Sequence, residues 1–153
     1  MSVAFRRESD DEHLEPKFEL PIPPGPNIVT PRGYSLLEQR TAEVEAQLAA
    51  TSDEEQRKKV QRDLRYWRAR LASAQIAPAP AGDTVAIGTR VTIDQSGKQR
   101  TLTIVGHDEA DPAAGLISFA SPLGRALMGA EEGDEVDVPG IAQTATVERI
   151  SAS

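Results

Sequence analysis

The chain has no cysteine in its 153 residues. That excludes disulfides, thiolate nucleophiles and thiolate zinc sites, and it fits a reducing compartment. Aromatic residues are scarce, with three Phe, two Tyr and one Trp. Any core must therefore be built from Val, Ile, Leu and Ala. The only histidines are His13 and His107. Neither falls in an HExxH motif, a two-His metal spacing or a Ser-His-Asp arrangement, and no Gly-rich phosphate loop is present. No apolar run approaches the roughly 20 residues of a membrane span. Arg6 and Arg7 are followed by no apolar stretch, so no secretory signal is read. The net charge of −7 argues against wrapping duplex DNA with the whole surface. These absences lead us to expect a cytoplasmic, non-membrane, monomeric binding protein. It should have no catalytic residues, no metal ligands and no cofactor, and it should not be an enzyme.

Three segments differ in character. Residues 1–29 form an acidic, Pro-rich extended tail. Glu8, Asp10, Asp11 and Glu12 cluster there, and Pro21, Pro23, Pro24 and Pro26 bias the chain to polyproline II. This is either a solvated leader or an arm that lies along a partner or along the rest of the protein. Residues 30–77 read as an antiparallel coiled-coil hairpin. Thr30-Pro31 is an N-cap followed by proline at the first helical position. Leu37, Thr41, Val44 and Leu48 repeat at 4-3-4 spacing, as do Val60, Leu64, Trp67 and Leu71. Between them, Ser52 with Glu55 reads as a capping box. Helix must end before Pro78.

Residues 81–153 alternate with period two in several runs. Strands are expected at 85–93, with Gly88 a bulge or break, and at 101–105, 116–119, 135–138 and 144–150. Ser96-Gly97 marks a turn, and residues 122–128 fit a short helix stopped by Gly129. The fold class expected is α+β, a coiled-coil hairpin followed by an antiparallel β-sheet domain with one short helix.

Charge is concentrated on the second helix, where Arg57, Lys58, Lys59, Arg62, Arg65, Arg68 and Arg70 fall within 14 positions. At about 100° per residue, Lys58, Arg62 and Arg65 point away from the apolar seam. They are either a solvated face balanced by Glu38, Glu43 and Glu45, or a track for nucleic acid or an acidic protein surface. No aromatic stacking platform except Tyr66 accompanies them, which argues against reading of bases. At the hairpin tip, Asp53, Glu54 and Glu55 are explained by the helix dipole. Asp108, Glu109 and Asp111 share a loop that lacks the ligand spacing of a calcium site and reads as solvated turn residues.

The sequence NIVTPRGY from Asn27, LASAQI from Leu71, IVGHDEAD from Ile104, LIS from Leu116, SPLGRALMG from Ser121 and GDEV from Gly133 resemble, in order and spacing, the bacterial Gre transcript-cleavage factors. The resemblance covers nearly all of residues 27–150. It implies an FKBP-like C-terminal domain that docks at the rim of the secondary channel of bacterial RNA polymerase. Ser121, Pro122, Leu123, Asp108 and Glu109 would lie on the docking surface. The coiled coil would enter the channel with Lys58, Arg62 and Arg65 facing nascent RNA or the channel wall. The magnesium at that site belongs to the polymerase.

The family's tip carries a motif resembling Gly-Asp-Leu-Lys-Glu-Asn-Ala-Glu-Tyr between longer helices, and nothing like it occurs here. The hairpin is shorter by roughly 25 residues, which withdraws the tip by about 15–20 Å. In this it is similar to the short-hairpin relative Rnk, a polymerase-binding regulator. The function expected is regulation of transcription elongation from the secondary channel, without family-type cleavage stimulation by Asp53, Glu54 and Glu55. The alternative is a genuine cleavage-stimulating elongation factor whose acids come from the tip or the tail. A remote third reading, a peptidyl-prolyl isomerase, rests on the FKBP-like fold alone; Phe119 is the only aromatic residue of that domain.

Overall fold

The computed structural model describes residues 19–140 and 143–152. The tail acids from Glu8 to Glu12 lie outside the described residues, as does His13. In chain order the elements are β1 (Ile28–Val29), α1 (Pro31–Ala50), α2 (Glu54–Ser73), β2 (Gln75–Ile76), β3 (Thr89–Gln95), β4 (Lys98–Val105), β5 (Leu116–Ser118), α3 (Pro122–Leu127), β6 (Glu135–Asp137) and β7 (Thr144–Ala152). Short 3-10 turns at His107–Glu109 and Pro112–Ala114 link β4 to β5. Two compact units emerge. One holds Leu37–Ser73 with the described residues from 19 to 25, and the other holds Pro26–Leu36 with residues 74–152.

In the first unit the 4-3-4 spacing does what it predicts. Leu37, Thr41, Val60 and Leu64 are buried, and Val44, Leu48, Trp67 and Leu71 are half-buried. Thr41 is tolerated on the seam because its hydroxyl donates a 2.8 Å bond to the Leu37 carbonyl. Arg70, unexpected from the pattern, is only 3% exposed. The turn between the helices is held by Arg57, whose Nη1 donates to the carbonyls of Leu48 at 2.9 Å and Thr51 at 2.8 Å. The Leu48 carbonyl, in the last turn of α1, also accepts from Thr51 N at 3.2 Å, and Thr51 is the first residue past the helix. The N-cap of α2 is Asp53 rather than Ser52: Asp53 Oδ2 accepts from Gln56 N at 3.0 Å, and α2 begins at Glu54. A carboxylate there also complements the helix dipole.

In the second unit five strands form one sheet in the order β5-β4-β3-β7-β6. The sheet is mixed, not wholly antiparallel as expected, because β5 pairs parallel with β4. The two 3-10 turns carry the chain back alongside β4, so β5 enters in the same direction. Ser96 (φ 54°) and Gly97 (φ 85°) make the tight β3–β4 turn, whose two positive φ angles match the right-handed twist of the strands. Residues 85–88 are not strand. Val85 is nevertheless buried, and its N–H donates to the Ala130 carbonyl at 2.9 Å while its carbonyl accepts from Gly129 N at 2.8 Å. The core is Val91, Ile93, Leu102, Ile104, Leu127, Ala145 and Val147, all aliphatic, as the lack of aromatics requires. β1 and β2 form a separate two-stranded parallel pair, with Ile28 opposite Gln75 and Val29 opposite Ile76.

Candidate functional site

Two surfaces carry the residues singled out by sequence, one in each unit. In the second unit, Val105 at the end of β4 is paired in register with Ser118 at the end of β5. Parallel strands finish on the same side, so the loop beginning at Gly106 and the turn leading to Ser121 leave the sheet edge together. The loop holding Asp108 and the turn leading to Ser121 thus start from the same end of paired strands, although 13 positions separate the two residues. Ser121 caps α3: its Oγ accepts from Gly124 N at 3.1 Å and donates to the Ser118 carbonyl at 2.7 Å. Gly124 is needed for this close approach, since a Cβ there would run into the Ser118 carbonyl. Pro122, Arg125 and Met128 are exposed, whereas Leu123 packs half-buried against the core.

Glu109, expected on a docking surface and read as a solvated turn residue, is buried at 8% exposure. Its carboxylate is engaged internally. Oε1 accepts from Thr30 Oγ1, and Oε2 accepts from the backbone N–H groups of Thr30 and Gly106, each at 3.3 Å. Its work is therefore to hold the start of α1, and of the other two acids of that loop Asp108 is half-buried and Asp111 exposed. Among the described residues no group of His, Asp and Glu is arranged to hold a metal ion.

In the first unit, the basic stripe of α2 forms the wall of a groove of about 650 Å³ lined by Glu19, Glu55, Lys58, Lys59, Gln61, Arg62 and Arg65. Two other cations of the helix are used elsewhere: Arg57 holds the turn, and Arg68 Nη2 bonds Glu45 Oε2 on α1 at 2.9 Å. The stripe itself is partly occupied by the tail. Arg65 makes a two-pronged contact with Glu19, Nε to Oε1 at 2.5 Å and Nη2 to Oε2 at 2.9 Å. The Arg65 hydrogen bond holds the Glu19 carboxyl below its ordinary range, with smaller help from the charges of Arg65 and Arg62 against the cost of desolvation. The same bond pushes Arg65 up. Lys58 is 4.0 Å from Glu55 one turn earlier, and both are well exposed. Arg62 is less exposed than the stripe pattern implies, at 30% of its side chain, and its Nε is shielded without a hydrogen-bond partner. The tip acids Asp53, Glu54 and Glu55 are exposed.

Residues 79–152 match the family model "Transcription elongation factor, GreA/GreB, C-term". This C-terminal domain is thus similar to that of the GreA/GreB factors. It is 47% identical over 79 residues to a transcription elongation factor GreA of Desulfovibrio desulfuricans, a match covering 49% of each chain. Against a GreA of Thioalkalivibrio sulfidiphilus the identity is 44% over 80 residues, covering 49% of this chain and 51% of that one. The chain thus spans about half the length of the curated relatives it matches. A solved GreA/GreB structure from Nitrosomonas europaea aligns over 84% of this chain and 99% of its own, at 21% identity and a TM-score of 0.41.

The GreA/GreB match includes Asp108, Glu109, Ser121, Pro122 and Leu123. It begins after α2, so Asp53, Glu54, Glu55, Lys58, Arg62 and Arg65 lie outside it. Sequence reasoning missed Glu19 and Arg57. A lone acid in a Pro-rich segment gives no signal of its partner 46 positions away, and one arginine among seven gives none of its role at a turn.

Proposed function

We propose that this protein is a bacterial transcription elongation factor of the GreA/GreB type. It binds RNA polymerase at the secondary channel through the C-terminal domain and regulates elongation without supplying the acids for transcript cleavage. The observation that carries this reading is the family match over residues 79–152. The emergence of the 106–109 and 119–123 segments at one sheet edge supports a docking surface built from Asp108, Ser121, Pro122 and Leu123. The protein is not itself an enzyme; any chemistry on RNA belongs to the polymerase and its magnesium. Lys58, Arg62 and Arg65 face nascent RNA or the channel wall. The polymerase, and with it this factor, is cytoplasmic.

Against cleavage stimulation stand the helix lengths. Each helix has 20 residues, about 30 Å at 1.5 Å per residue. A carboxylate withdrawn by about three turns does no coordination chemistry at a polymerase metal. The deciding experiment adds the protein to stalled, backtracked polymerase and follows both RNA cleavage and the rate of resumed elongation. A change in elongation with no added cleavage is expected. Strong cleavage would replace this reading with true cleavage stimulation, and no binding to polymerase would remove both.

A further inference from the structure

The Glu19–Arg65 contact is the one place where the described part of the N-terminal segment is anchored by paired charges, and it falls on the basic stripe. A carboxylate accepting two parallel N–H bonds from a guanidinium reproduces the way arginine holds a phosphate. Glu19 also lines the groove with Lys58, Lys59 and Arg62, so it occupies space a phosphate would take. The residues before it are rich in acid, with Glu8, Asp10, Asp11, Glu12 and Glu15. Glu19 and Arg65 are 46 positions apart in one chain. Tethering gives such a contact an effective concentration on the order of millimolar. A weak exposed ion pair can then compete with a phosphate ligand of modest affinity.

We propose that the stretch from Glu19 to Gly25 is an intramolecular strap in which Glu19 stands in for a phosphate on Arg65 and lowers the affinity of the α2 stripe for single-stranded RNA until RNA displaces it. This rests on reading the stripe as facing RNA. RNA rather than an acidic protein is the ligand argued for, because the groove is lined by cations and polar side chains with no apolar residue to anchor a protein partner.

The test uses the full chain and two readouts. With no native cysteine, Ile22→Cys takes a single spin label at an exposed position three residues from Glu19. In the otherwise unchanged chain the label should broaden backbone amide signals of α2 around Arg65, and Glu19→Gln should abolish that broadening. Fluorescence anisotropy with a labelled single-stranded oligoribonucleotide then reports affinity. Glu19→Gln should tighten binding about three- to fivefold at low salt and steepen the salt dependence by about 0.7, one further phosphate contact. Lys58→Glu with Lys59→Glu should weaken it. If Glu19→Gln binds RNA as the parent does while the lysine reversal weakens binding, the strap is overturned and the stripe reading stands. If the label broadens nothing in α2, the strap is overturned whatever RNA does. If RNA binding is insensitive to the lysine reversal as well, the stripe reading falls and the strap's role falls with it.

Discussion

Thr30 Oγ1 donates a 2.7 Å hydrogen bond to Glu109 Oε1, joining residues 79 positions apart. The same hydroxyl accepts from Gly33 N at 3.0 Å. A single threonine thus caps α1 and passes the polarisation on to a buried carboxylate, which is favourable at the positive end of a helix. Gly33, one turn into α1, leaves room for that carboxylate; a Cβ there would collide with it.

This arrangement predicts an inverted sign. Replacing a helical glycine by alanine ordinarily stabilises by up to about 1 kcal/mol, less in a first turn such as that of Gly33. Gly33→Ala should instead destabilise by about 1–3 kcal/mol, because it evicts Glu109 from its donors. Thr30→Val should cost a similar amount, about 1–2 kcal/mol for the cap. The double variant should cost clearly less than the sum. Urea denaturation of the four proteins reads the cycle, and additivity would show that Gly33 and Thr30 do not act through one carboxylate.

Arg57 gives a second prediction. Its guanidinium serves two carbonyls at the hairpin turn, and hydrogen bonds from a charged donor contribute about 1.5–3 kcal/mol where shielded. Arg57→Ala should lower the melting temperature, followed by far-UV circular dichroism, by roughly 4–8 °C. Arg57→Lys should restore it only in part, because both bonds leave the one Nη1 and an ammonium, though it has donors enough, ends a side chain one bond shorter.

The Glu19–Arg65 contact carries a pH signature. The Glu19 carboxyl is held below its ordinary value of 4.5 by the Arg65 hydrogen bond. A depressed folded-state value means the contact is fully present above pH 4.5 and is lost as pH falls through the lowered value. A carbon-detected NMR titration should place the Glu19 midpoint lower in the parent protein than in an Arg65→Gln variant. Identical midpoints would mean the pair does not persist in solution.

The proposed docking surface is testable without breaking the fold. Ser121 is a poor choice for substitution because it caps α3. Pro122→Glu puts an acid at a helix start, where the dipole favours it, and Arg125→Ala removes an exposed cation one turn on. Together they should weaken binding to core polymerase by more than roughly tenfold, about 1.4 kcal/mol. Unchanged affinity, measured by competition for polymerase, would move the interface elsewhere.

What could be read in the sequence followed from local rules. The hairpin seam, the Thr30-Pro31 cap, the Ser96-Gly97 turn and the alternating strands are each decided within a few residues by periodicity or turn chemistry. What could not be read depends on partners far along the chain. The apolar run at 116–119 says that the strand is buried but not that it runs parallel to its neighbour. The carboxyl of Glu109, in a loop with two other acids, looks solvated until Thr30 is brought to it. The two-residue strands Ile28–Val29 and Gln75–Ile76 have no periodicity at all. The seam residues expose the arginine stripe as a face, yet only the fold puts Glu19 on it.

The parallel pairing of those two short strands has an evolutionary consequence. The chain departs for the helices through one strand and returns through its immediate neighbour, so the whole helical excursion is an insertion with both ends moored. Adding or removing matched turns in the two helices changes the reach of the excursion by 1.5 Å for each residue of helix. The entropy of closing a longer excursion grows only with the logarithm of its length. Helix length is thus a trait that selection can tune by insertion and deletion while the strands and their aliphatic core stay as they are.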